Sequence, residues 1–219
     1  MSGESRCKRC GQCCQQGGPA LHGADLALLQ AGQLTQEDLV TVRRGELALQ
    51  PMAQTPEPVS SEFLKVSGKN GSWCCLFYNE AEKGCSRYGH RPVACGLLDC
   101  TNTGPLLAIA GKDLLTRFDC IVTDDPLLPV VHEYEALCPC PALGEIAGER
   151  QLGPFAPERL EELSQLVRQD LAFRGRVTAR FSLSLGQELF YFGRPLFQLL
   201  APLGLQAVQS PQGIVLTQR

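Results

Sequence analysis

The stretch CKRCGQCC, residues 7–14, sets four cysteines close together near the start of the chain. The C-x2-C-x2-C spacing of Cys7, Cys10 and Cys13 lets one tight loop turn several sulfurs and backbone N–H groups inward around a single centre. Thiolate ligation of zinc or of an iron–sulfur cluster requires such a loop. Gly11 supplies the backbone freedom for the turn. Cys14 complicates the pattern, because adjacent side chains point in different directions. Either it serves a second centre, or only one of the pair is a ligand.

The chain has 12 cysteines in 219 residues, at positions 7, 10, 13, 14, 74, 75, 85, 95, 100, 120, 138 and 140. With 44% hydrophobic residues, a chain of this length can bury a core without disulfide staples. The N-terminal MSGESRCKRCGQ is polar and lacks the apolar stretch of a signal peptide, and no apolar run reaches the roughly 18 residues of a membrane span. The reading is therefore a cytoplasmic protein without a membrane partner. In that reducing compartment clustered thiols point to metal or redox chemistry rather than to disulfides. A formal net charge of -3 argues against a nucleic-acid partner, since such domains carry a basic face and Arg6, Lys8 and Arg9 form only a short patch.

The cysteine positions divide the chain into a cysteine-bearing metal-binding domain, residues 1–150, and a cysteine-free C-terminal extension, residues 151–219. GADLALLQAG and LTQEDLVTVRRGE read as two short helices, the second opened by a capping box of Thr35 and Asp38, and burying Leu26, Leu29, Leu39 and Val42 between them. Residues 51–60 read as a proline-punctuated loop, and PLLAIAGKDLLTRF as a buried helix or strand. TDDPLLP marks a turn. APERLEELSQLVRQDLAF is the clearest helix, with Leu160, Leu163, Val167 and Leu171 on one face. RVTARFSLSL alternates like a strand or extended arm, and Phe190, Tyr191, Phe192 and Phe197 read as core. The expected class is α+β and loop-rich, with short helices organised around a cysteine metal centre and a helical C-terminal extension.

The second cluster is CCLFYNEAEKGCSRYGHRPVACGLLDC, residues 74–100. Together with CKRCGQCC it resembles the YkgJ-type cysteine-cluster family, the CxxCxxCC domains described as chelating zinc or iron. The family's second motif is similar to Cys75 with LFY, then Cys85, Ser86, Tyr88, Arg91, Pro92, Cys95 and Cys100. CPCPALGE resembles the stretch that often closes the domain, although Cys140 and Pro141 displace the usual glycine. The resemblance covers about residues 1–145 and implies Cys7, Cys10, Cys13, Cys14, Cys75, Cys85, Cys95 and Cys100 as metal-site residues, joined by Cys138 or Cys140. Cys74 and Cys120 fall outside it and read as small buried residues.

Thiolate ligands suit both zinc and iron. Eight motif cysteines could fill two tetrahedral zinc sets, whereas the triplet with Cys138-Pro139 or Cys140-Pro141 as a remote partner fits an iron–sulfur cluster, including the 4Fe-4S type, slightly better. Within the motif, Pro92 fixes the backbone, and Arg91 could donate hydrogen bonds to sulfur or to a carboxylate behind it. His90 reads as a solvated loop residue, and His132 lacks the spacing of a helical zinc site. No nucleophile elbow and no phosphate-cradling glycine loop is present. The first functional reading is a metal-binding protein, with an unidentified protein partner open. A resemblance to flagellin lysine methylases in the cysteine motif leaves an iron–sulfur-dependent modifying enzyme as the alternative, and zinc-gated thiol redox sensing as a further one.

Overall fold

A computed structural model describes residues 10–50, 53–211 and 213–218. In chain order its helices are α1 (Gln12–Gln15), α2 (Leu26–Gln30), α3 (Val93–Leu97), α4 (Gly104–Ile109) and α5 (Leu128–Leu137). They continue with α6 (Leu143–Leu152), α7 (Pro157–Phe181), α8 (Leu185–Phe192) and α9 (Leu196–Leu200). The strands are β1 (Leu39–Val42), β2 (Leu47–Ala48), β3 (Glu57–Pro58), β4 (Phe63–Val66), β5 (Tyr78–Asn79), β6 (Gly84–Cys85), β7 (Leu205–Ser210) and β8 (Gly213–Gln218). They pair two by two, β1 with β4, β2 with β3, β5 with β6 and β7 with β8. The class is the loop-rich α+β fold that the sequence predicts. No helix among the described residues is long and apolar enough to cross a membrane.

The chain folds as two compact units, one of residues 1–41 and 63–121, the other of residues 42–62 and 122–219. The first has little regular structure and is held by backbone bonds between distant segments. Leu21 N–H donates to Leu64 O at 2.9 Å, Leu64 N–H to Leu115 O at 2.7 Å, and Leu115 N–H to Leu21 O at 2.9 Å. The three leucines that make this ring are themselves buried, so the ring closes around apolar side chains. The expected second helix is corrected here. Thr35 and Asp38 do form their capping box, but it opens only a 3-10 turn, Gln36–Asp38, and the chain then extends as β1. Three of the four residues Leu39, Val40, Thr41 and Val42 are β-branched, and all four are buried, so both faces of an extended segment are used. Leu39 and Val42 are core as expected, while Leu26 and Leu29 are half-buried.

In the second unit α7 begins at Pro157, where a proline suits the first turn. Its buried side chains Leu163 and Val167 face a core completed by Leu143 and Ile146 of α6, Leu196 and Leu200 of α9, and Leu205 and Leu216 of the β7–β8 hairpin, while Phe173, also buried, packs against Tyr134 and Phe192. The expected strand from 176 onward is a second correction, because α7 continues to Phe181. Phe173, Val177 and Phe181 recur every four residues, so the residues that alternate like a strand also satisfy a helical face. The helix stops at Ser182, which turns left-handed with φ 53°, and Ser184 then caps α8 through a box with Gln187. Phe190, Tyr191 and Phe192 are core, as expected.

A buried ionic network runs through this unit. Asp170 accepts from Tyr134 Oη at 2.6 Å, Arg174 Nε at 2.7 Å and Leu196 N–H at 2.8 Å. Arg174 also donates to the carbonyls of Phe192 and Gly193 and to Glu188, and Arg43 donates to Glu135 and to the Cys138 carbonyl. Every charge here is matched, which is the condition for keeping ions inside a core.

Candidate metal centre

The first cysteine motif is organised by Gly11. Its φ of 76° is left-handed, and a Cβ there would lie 2.5 Å from the Tyr78 ring, so both conformation and space demand glycine. The chain then enters α1, whose residues are Gln12, Cys13, Cys14 and Gln15. Cys13 and Cys14 hold their sulfurs 3.9 Å apart, so adjacency has not sent them to opposite sides.

The motif docks on the second cluster through the backbone. Cys14 O accepts from Cys75 N–H at 2.6 Å, and Gln15 Nε2 donates to Tyr78 Oη at 3.4 Å. Past Tyr78 the chain reverses between β5 and β6, with Asn79 Oδ1 accepting from Ala81 and Glu82 N–H, and Cys85 comes to lie opposite Tyr78. Ser86 anchors the end of this turn by donating both its N–H and its hydroxyl to Phe77 O.

Cys95 arrives on α3, which starts immediately after Pro92. Arg91 stacks on the Tyr88 ring at 3.8 Å and donates to the carbonyls of Tyr88, at 3.1 Å, and Cys95, at 3.5 Å. Its role is thus to tie the loop together through backbone oxygen. Val93 N–H, the first free donor of α3, is taken by the carboxylate of Asp25 at 2.8 Å.

The electrostatics shows which thiols share a neighbourhood. Cys14 is pushed up to about 12, by burial first and then by Cys13, Cys75 and Cys85. Cys75 is raised by burial and by Cys85 and Cys74, against a backbone hydrogen bond at Phe77 that favours the thiolate. Cys95 is raised further, by burial and then by Cys75, Cys13, Cys14 and Cys85. Cys13, Cys14, Cys75, Cys85 and Cys95 are therefore brought together. Cys14, Cys75 and Cys95 hold their protons more tightly than free thiols, since thiolates so placed repel one another and lose hydration.

The other expected ligands are placed differently. Cys7 lies outside the described residues, as do Arg6, Lys8 and Arg9. Cys10 and Cys100 are exposed. Cys138 and Cys140 belong to the second unit. Cys138 is pushed up to about 11, by burial and Asp170, and Cys140 to about 12, by burial and Glu46. Cys120 is half-buried, not fully enclosed, and burial also pushes it up to about 11. His90 is exposed.

Among the described residues no two cysteines form a disulfide, and no three His, Cys, Asp or Glu side chains are disposed to hold an ion as they stand. The donor chemistry nevertheless fits a thiophilic cation. A cluster of five thiols, in which Cys14, Cys75 and Cys95 hold their protons tightly, is what zinc or iron would deprotonate and draw inward. Spacing pointed to Cys13, and the family resemblance to Cys14, Cys75, Cys85 and Cys95; neither gave a sign of Asp25, whose partner is a backbone N–H 68 positions away.

Residues 6–107 match the family model described as "CxxCxxCC: Putative zinc- or iron-chelating domain". No curated protein and no solved structure matches the chain.

Proposed function

We propose that this chain is a metal–thiolate protein whose first unit holds iron, as an iron–sulfur cluster, or zinc. Cys13, Cys14, Cys75, Cys85 and Cys95 are the central ligand candidates, and the flanking Cys7, Cys10 and Cys100 complete the set from which ligands are drawn. The observation that carries this reading is the docking of the two cysteine motifs on each other, with Cys75 N–H bonded to Cys14 O and the proton affinity of Cys14, Cys75 and Cys95 raised by burial and by neighbouring cysteines. The match over residues 6–107 supports the same chemistry.

A bound cation would supply the positive charge that lets these thiolates coexist, and it would cross-link segments that otherwise meet through few regular elements. The chain's own contribution is placement. Gly11 and Tyr78 seat α1, the β5–β6 turn carries Cys85, and Pro92 with Arg91 sets the loop that leads to Cys95. Iron–sulfur is preferred because C-x2-C-x2-C is the cluster-binding spacing, and zinc is the second reading because the motif cysteines could also form tetrahedral sets. A cytoplasmic site fits thiols that must remain reduced.

The test is metal and acid-labile sulfide analysis of protein purified without oxygen, together with its absorption spectrum. Iron with matching sulfide and broad visible absorption is expected. Zinc without sulfide selects the second reading, and neither metal in stoichiometric amount overturns both.

A further inference from the structure

We infer that Asp25 is a positioning residue for Cys95, an inference that rests on the metal–thiolate reading for its functional meaning. Asp25 is 1% exposed, and each of its carboxylate oxygens accepts from a backbone donor: Oδ2 from His22 N–H at 2.9 Å and Oδ1 from Val93 N–H at 2.8 Å. The first bond closes a turn that is fixed in place. His22 Nδ1 lies 2.9 Å from Lys112 O, Gly23 N–H donates to Asp113 O at 2.8 Å, and Leu21 belongs to the backbone ring with Leu64 and Leu115. The second bond reaches the start of α3, two residues before Cys95.

The helix needs that anchor. α3 has only five residues, too few to persist on its own hydrogen bonds, and Pro92 before it has no N–H to offer. No side chain of the α3 segment caps its N-terminus locally. The carboxylate of Asp25 supplies the cap from a distant part of the chain and, being ionic, makes a stronger bond than a neutral acceptor would. The position of Cys95 is thereby referred to the core of the first unit rather than to the loop around it. Asparagine cannot replace the group, because it has one acceptor oxygen where two backbone donors must be met.

The experiment uses the full metal-free chain, titrated with Co2+ and followed by thiolate-to-cobalt absorption. In parallel, the alkylation rate of each cysteine in the metal-free chain is read by mass spectrometry. Four proteins are compared with wild type: Asp25→Asn, Val93→Pro, Cys95→Ser and the Asp25→Asn/Cys95→Ser double variant. Val93→Pro removes the bond from the donor side, at a position where proline suits a helix start and where Pro92 already has the extended backbone that a following proline prefers.

Both single anchor variants should weaken Co2+ binding by about 10- to 100-fold, the range seen when a partner that orients a ligand is lost. They should lower the thiolate band as Cys95→Ser does, and the double variant should be no weaker than Cys95→Ser alone. Cys95 should alkylate faster in both, with Cys14 and Cys138 unchanged. Wild-type alkylation of Cys95 in both variants would overturn the assignment, as would a uniform rise at every cysteine, which would mark general unfolding. If wild type itself gives no thiolate band, the metal reading fails, and the alkylation rates alone still decide whether Asp25 holds Cys95.

Discussion

Gly11 and Cys95 carry the clearest predictions at the scale of single residues. Gly11→Ala would place a methyl group 2.5 Å from the Tyr78 ring and force alanine to a φ of 76°, so either α1 lifts from Tyr78 or the backbone changes. The left-handed conformation alone costs about 1–3 kcal/mol for a non-glycine residue. Metal content should fall in Gly11→Ala, and thermal denaturation should show a loss of at least that order. Cys95→Ser should likewise lower bound metal in the purified protein, whereas Cys120→Ser should not. Wild-type metal content in Cys95→Ser would remove it from the ligand set. Gly11 was legible because a tight-turn glycine between closely spaced cysteines leaves a mark in sequence, and Cys95 because its motif resembles that of a known family. Asp25 was not, since a backbone N–H as partner leaves no such mark.

Elements were legible where a single period accounts for the pattern. The start of α7 was read correctly because proline, early acids and a leucine face agree. Two segments were ambiguous by their nature. Residues 39–42 follow a genuine capping box, and only burial on both faces makes them a strand; residues 176–181 alternate, but the spacing of Phe173, Val177 and Phe181 lets α7 absorb them. The end of that helix offers a direct check. Ser182 is exposed and left-handed, with its N–H donating to Thr178 O, so Ser182→Gly removes strain without removing a contact of the core. A gain of about 1 kcal/mol is expected, read as a rise in the midpoint of thermal or urea unfolding. A loss would show that the serine side chain holds the turn.

At the scale of the whole molecule, two different means of cohesion operate in the two units. The second is held by a full core and a matched ionic network, so Asp170→Ala should cost about 3–5 kcal/mol by leaving Arg174 Nε, Tyr134 Oη and Leu196 N–H without the carboxylate that accepts from all three. The urea midpoint should fall accordingly, and a near-neutral result would show that the network repacks.

On the metal–thiolate reading the thiols of the first unit give a pH dependence whose sign differs between the metal-free and loaded states. With Cys14 pushed up to about 12, its thiol is protonated at neutral pH, so metal uptake must expel a proton and apparent affinity rises with pH. In the metal-free chain the folded state holds that proton more tightly than the unfolded state, whose thiols titrate near ~8.5. The stability from this group is full below ~8.5 and is lost as pH climbs toward about 12. Denaturation of metal-free protein across that window should show the fall, and weakly buffered protein should acidify on loading. An unchanged pH on loading would mean that the buried thiols are not the ligands.

The most direct measurement is X-ray absorption at the K edge of whatever metal the anaerobically purified chain carries. Clustered thiols as ligands predict a first shell dominated by sulfur, at about 2.3 Å if the metal is zinc, and reduced sulfur scattering in Cys95→Ser. A first shell of nitrogen or oxygen, or a chain that carries no metal, would contradict the account.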